Sequence, residues 1–102
     1  MERFREFSRK MKEIFFEAII TGDLETVLMF LEAGIDPNII NIDKWKPLIY
    51  TVFYNQLVIA HLLLNVGADP SDKVCMGKTV LFFAEYRNNG VMSQLLRRYG
   101  AN

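Results

Sequence analysis

Gly34, Gly67 and Gly100 stand 33 residues apart, and their neighbours repeat with them. They head the strings GIDPN, GADPS and GAN, and each closes an apolar run in the same phase: MFLEAG, LLLNVG and LLRRYG. A fixed period of roughly 20 to 50 residues marks a solenoid, because one unit has too little apolar surface to bury alone and must stack on the next. A chain of 102 residues has room for three such units, about the fewest that make a stable stack.

Laid on itself at this period, the chain shows two helical segments per unit. The second helices read LETVLMFLEAG, LVIAHLLLNVG and GVMSQLLRRYG. Val27, Phe30 and Leu31 fall at helical spacing, as do Ala60, Leu63 and Leu64, so each helix has one apolar face. Each repeating glycine sits where a helix ends in a left-handed residue, which glycine adopts without a Cβ clash. Asp-Pro follows at 36–37 and 69–70, and proline just beyond a helix end stops its continuation. The first helices are expected over Glu13–Thr21, Pro47–Tyr54 and Val80–Arg87. Gly22, Asn55 and Asn88 follow them at one position, and these residue types tolerate positive φ.

Unit two carries KPLIYT and unit three TVLFFA, where the ankyrin-repeat family has its TPLHxA motif, and TGDLETVLMFLEAGIDPN is similar to the second half of such a repeat. Over about residues 13–102 the chain therefore resembles the ankyrin-repeat family. The resemblance implies an all-α solenoid of three helix-turn-helix units with hairpin loops, at 13–45, 46–78 and 79–102. Thr79 can cap a first helix through its hydroxyl, and Pro47 suits a first helical turn, where its missing N–H is no loss. The motif histidine is absent from every unit, with Phe16, Ile49 and Phe82 in its place. Apolar packing must then hold the loops that histidine ties in the family. Unit one starts with Glu13-Ile14, so its helix is expected to run back into residues 1–12 as an N-terminal cap, with Phe4, Phe7, Met11, Ile14 and Ala18 as one apolar stripe. Arg97 replaces Leu31 and Leu64, as suits a C-terminal capping unit whose outer face meets water.

Formal charge is zero but uneven. Residues 1–12 carry five positive and two negative side chains, residues 13–72 two and nine, and residues 73–102 five and one. Basic ends around an acidic body suit solvated caps better than a nucleic-acid groove. Cys75 is the one cysteine, which excludes an internal disulfide or thiolate metal cage and fits a reducing, intracellular, cytoplasmic setting. The apolar stretch from Leu57 to Leu64 contains His61 and is too short for a bilayer, and MERFREFSRKMK lacks the apolar core of a secretory signal.

Proteins of this family bind partners through the hairpins and the exposed side of each first helix. Carried onto this chain, those positions are Lys12, Ile20 and Thr21 in unit one, and Ile42, Asp43, Trp45, Phe53 and Tyr54 in unit two. Unit three supplies Cys75, Met76, Lys78, Tyr86 and Arg87. Tryptophan, tyrosine, phenylalanine and arginine carry much of the energy of protein interfaces, and Trp45 on an exposed hairpin is the expected anchor. The blander reading has Phe53 and Tyr86 packing between units in place of the lost histidines. His61 reads as a surface residue on the outer side of a second helix, and Cys75 as a plain loop thiol. DKVCMGKT has only the second half of a P-loop, and its repeat phase makes Gly77 a hairpin turn. No acid–base or nucleophile–base pair emerges, and no metal or cofactor is implied. The sequence reads as a non-catalytic module that binds a protein partner through one rigid concave face. A self-associating homodimer is the alternative. So is the ankyrin part of a larger scaffold, since the basic lead, TGDLETV and Trp45 before KPLIY are similar to a germline ankyrin–sterile-alpha-motif scaffold.

Overall fold

The computed structural model describes residues 2–102, with side chains from residue 9 onward. Its elements in order are α1 (Glu2–Thr21), α2 (Leu24–Glu32), α3 (Pro47–Phe53), α4 (Leu57–Asn65), β1 (Lys73–Cys75), β2 (Lys78–Thr79), α5 (Val80–Tyr86) and α6 (Gly90–Arg98). Helices pair within a unit, α1 on α2, α3 on α4 and α5 on α6, while α1, α3 and α5 pack on one another from unit to unit. The result is the three-unit helical solenoid expected from the period.

One turn is used at every helix end. After α2, the amide of Gly34 donates to the Leu31 carbonyl at 3.0 Å and that of Ile35 to the Phe30 carbonyl at 3.1 Å. The same pair of bonds recurs at Gly67–Ala68 and Gly100–Ala101, where Gly67 and Gly100 have φ of 108° and 103°. This is the Schellman arrangement, and it needs a left-handed residue at its centre. The inner helices end the same way around Gly22, Asn55 and Asn88, at φ 80°, 53° and 56°. The residue after each then begins the next helix. Asp23 and Asn89 do so through their side chains, which accept from the amides of Thr26 and Met92.

Helix starts follow local chemistry too. Pro47 opens α3 in the first turn, and the Thr79 hydroxyl accepts from the Phe82 amide to cap α5. The buried set is continuous through the stack: Phe15, Ile19 and Val27, then Leu48, Val52 and Leu63, then Val80, Met92 and Leu96. Each such side chain removed from water contributes about 1.5–3 kcal/mol, which offsets the ordering of short helices unstable alone.

Residues 2–12 continue α1 backwards as a helix, but of the expected apolar stripe Ala18 alone is buried among the described side chains. Ile14 is 51% exposed, whereas Phe15, Phe16, Ala18 and Ile19 are buried. Its phase equivalents, Pro47 and Val80, open a helix directly after a hairpin and are covered. Ile14 lies within a continuous helix, with no hairpin before it. The packing expected of Phe4 and Phe7 lies outside the described side chains.

At the far end the apolar phase gives way to charge. Glu85 occupies the position of Ile19 and Val52, and Arg97 that of Leu31 and Leu64. Val52 is 1% and Leu64 4% exposed inside the stack, but Glu85 and Arg97 are both exposed and form an ion pair.

Candidate functional site

Two long hairpins leave the helical layer, one before α3 and one before α5. The first is built on Asn41. Its side-chain oxygen accepts from the amides of Asp43 and Trp45, both at 3.0 Å, and its backbone amide donates to the Trp45 carbonyl at 3.0 Å. Its Nδ2 donates to the Tyr50 hydroxyl at 2.7 Å, fastening the loop to α3. The second is the antiparallel pair β1–β2, turning through Met76 and Gly77 at φ 52° and 72°. Two left-handed residues in succession give the tight turn that matches strand twist, a conformation that glycine takes freely and methionine does not.

Hairpins and inner helices meet in a concave angle. In unit one this is a cleft of ≈ 570 Å³ between α1 and the 40–44 segment. Phe16, Ile20, Ile40 and Ile42 form its apolar walls, and Arg9, Lys12 and Lys44 stand around it with Glu13 and Glu17. Beneath the concave face runs an unbroken series of aromatic contacts. Phe16 meets Tyr50 at 5.6 Å between ring centroids, Tyr50 meets Trp45 at 6.0 Å, and Trp45 meets Phe53 at 6.0 Å. Phe53 then meets Phe83 at 5.6 Å, Phe83 meets Phe82 at 5.3 Å, and Phe82 stacks on Tyr86 at 6.1 Å. Such offset and edge contacts each add about 0.5–1.5 kcal/mol beyond the area they bury. Phe16 and Phe82 stand where the motif histidine is missing, so rings and Asn41 now fasten loops to helices.

The expected contact residues divide into a supporting and a presented group. Ile20 and Ile42 share the unit-one cleft, and Ile42 is 95% exposed. Met76 is 92% and Tyr86 78% exposed, and Tyr54, Lys78 and Arg87 also face solvent. Trp45 does not stand free on its hairpin as expected: it is half-buried and packs against the core through Tyr50 and Phe53. Phe53 likewise packs between units, with its outer side under the Arg87 guanidinium at 5.6 Å. Tyr86 does not pack between units. Lys78 lies over Phe82 at 4.7 Å from the centroid. Asn41 and Ile40 went unmarked in the sequence, although an Asn two residues before an Asp is an ordinary side-chain turn signal.

The opposite side carries a second cleft of ≈ 400 Å³ between α4 and α6, with Leu57, Val58, Val91 and Leu95 around His61 and Arg98. His61 is exposed there, its Nε2 3.3 Å from the Tyr99 hydroxyl. Cys75 is free and exposed. Among the described residues no helix is long and apolar enough to cross a membrane, and no three His, Cys, Asp or Glu side chains group to hold a metal.

A family model for ankyrin repeats in three copies matches residues 15–102. Among similar proteins, the B-cell lymphoma 3 protein homolog of Mus musculus is 35% identical over 86 residues, 83% of this chain and 19% of that protein. The ankyrin repeat and LEM domain-containing protein 1 homolog of Caenorhabditis elegans is 33% identical over 79 residues, 78% of this chain and 11% of that protein. The chain thus spans a fifth or less of the curated relatives it matches. The crystal structure of the human ASB11 ankyrin repeat domain superposes with a TM-score of 0.76 at 24% identity, covering 86% of this chain and 40% of that one, and shows a shared fold. Period, turn chemistry, fold and family match agree that this chain belongs to the ankyrin-repeat family, whose repeats generally serve as protein–protein interaction modules.

Proposed function

We propose that the concave face binds a protein partner, with the stack acting as a rigid, non-catalytic module. The observation that carries this reading is the placement of Ile42 and Met76. These are the two most exposed large apolar side chains described, and they lie at the tips of successive hairpins on one side of the stack. Both tips hold backbone at positive φ, at Lys44 and at Met76 itself. Left-handed backbone costs a side chain such as methionine about 1–2 kcal/mol, a strain that persists only where the surroundings impose it. The aromatic series beneath stiffens Trp45, Phe53 and Arg87 in place, so that little ordering entropy opposes binding. Ile20, Tyr54, Lys78 and Tyr86 complete the face.

Affinity capture from cell extract with four baits tests the reading: the wild type, Ile42→Asp, Met76→Asp and, on the opposite side, Val58→Asp. A partner held by the wild type and Val58→Asp should be weakened about 30-fold or more by a concave substitution, the size expected of an interface anchor. Loss on Val58→Asp alone moves the site to the α4–α6 cleft. Should the protein prove dimeric in solution, and monomeric on Ile42→Asp, the face belongs to a second copy.

A further inference from the structure

The zero net charge conceals two faces of opposite sign. Along the concave side, Arg9, Lys12 and Lys44 surround the unit-one cleft, and Lys78 and Arg87 extend the row across unit three. None of these five pairs with a carboxylate among the described residues, where the ion pairs are Lys46–Asp72 and Arg97–Glu85. Lys78 and Arg87 rest on the rings of Phe82 and Phe53 instead, which orders each charge without neutralising it. With Asp72 and Glu85 held in those ion pairs, the remaining carboxylates beside these cations are Glu13, Glu17 and Asp43, fewer than the cations. The second-helix side is the reverse. Asp23, Glu25, Glu32, Asp36 and Asp69 lie on α2 or in the turns flanking α2 and α4, all exposed, with Arg98 as the unpaired cation on α6.

Inside the cationic rim the cleft is apolar. Ile20, Ile40 and Ile42 wall it over the buried Phe16, and its ≈ 570 Å³ lies in the range that takes one or two anchoring groups. Resting on the concave-face reading above, we propose that this face takes an extended acidic segment of a protein partner. One apolar side chain of the segment seats among Ile20, Ile40 and Ile42, and flanking carboxylates reach Arg9, Lys12 and Lys44 at one end and Lys78 and Arg87 at the other. Charge complementarity steers such a segment to the face and fixes its direction. A nucleic acid fits less well, because its charge recurs at every step and meets Glu13, Glu17 and Asp43 as well as the cations. A peptide can place its carboxylates around them.

Selection of random dodecapeptides displayed on phage, against the wild type at low salt, tests the inference. The selected peptides should carry Asp or Glu on both sides of an aliphatic or aromatic residue. A synthetic copy of the dominant peptide should bind more weakly as salt rises. Lys44→Glu and Arg87→Glu should each lower its affinity about 5-fold, and Lys44→Gln less, with unchanged circular dichroism because both side chains are exposed. Ile42→Asp should abolish binding, and Val58→Asp should not alter it. Neutral or basic peptides that are lost on Ile42→Asp would overturn the acidic partner and leave the concave reading intact. Peptides indifferent to Ile42→Asp but lost on Val58→Asp would overturn both. Failure to enrich any peptide would overturn the extended segment as ligand. Tighter binding of oligothymidylate, lost on the same charge reversals, would give the face to nucleic acid, and a dimer dissolved by Lys44→Glu would give it to a second copy.

Discussion

Replacing Phe53 with alanine removes the middle of the aromatic series. Its ring touches Trp45 at 6.0 Å on one side and Phe83 of the next unit at 5.6 Å on the other, and carries the Arg87 guanidinium. Truncating a fully buried phenylalanine costs about 3–5 kcal/mol, so a half-buried one forfeits roughly half, near 2 kcal/mol. That whole-substitution cost already contains the two lost ring contacts, so the expected total is about 2–3 kcal/mol. For a domain of this size that is a fall in Tm of roughly 10–15 °C. Phe53→Leu keeps most of the apolar volume and should cost only about 1 kcal/mol. Urea unfolding followed by circular dichroism measures both. Trp45 is the single tryptophan, so its emission independently reports the same contact, shifting to the red when Phe53 is cut to alanine. A cost below about 0.5 kcal/mol with unchanged emission would place Phe53 among ordinary surface residues and refute the ring series as a structural element.

Asn38 ties units one and two together, its Nδ2 donating to the Gly67 carbonyl at 2.9 Å and its oxygen accepting from the Asp69 amide at 2.8 Å, so Asn38→Ala should cost about 1 kcal/mol in the same urea assay. Joint replacement Glu85→Val and Arg97→Leu should change stability by less than about 1 kcal/mol, because the pair is exposed, yet restore a stacking surface that shows as self-association in size-exclusion chromatography. Met76→Gly should raise stability by about 0.5 kcal/mol by relieving left-handed backbone, while partner affinity falls.

The period exposed the fold because the same turn closes every helix and demands a left-handed residue at Gly22, Asn55, Asn88 and the three repeating glycines. Those constraints are local, and local constraints survive in a single sequence. The stance of Trp45 is not local: its repeat position lies on a hairpin, but whether the ring leans inward depends on Tyr50 and Phe53 from the following helix. Ile14 misled for a related reason, since three/four spacing identifies a stripe but not which of two adjacent stripes meets the next unit. The two-faced charge was hidden because the acidic block of residues 13–72 crosses inner helix, outer helix and hairpin, and only folding separates Asp23, Glu25, Glu32, Asp36 and Asp69 at the back from Glu13, Glu17 and Asp43 in front. Loss of the motif histidine did announce that packing must replace hydrogen bonds, and the rings at Phe16 and Phe82 take part in that packing.

The central claim is that one concave face, made of hairpin tips and inner helices, is where this stack meets its partner. Backbone amide chemical-shift mapping, with the protein titrated by a peptide that it selects, tests this most directly. The account predicts shifts gathered at residues 16–20, 40–45, 53–54, 76–78 and 86–87, with α4 and α6 unmoved. Shifts gathered instead at residues 57–62 and 91–98, around His61, would contradict it.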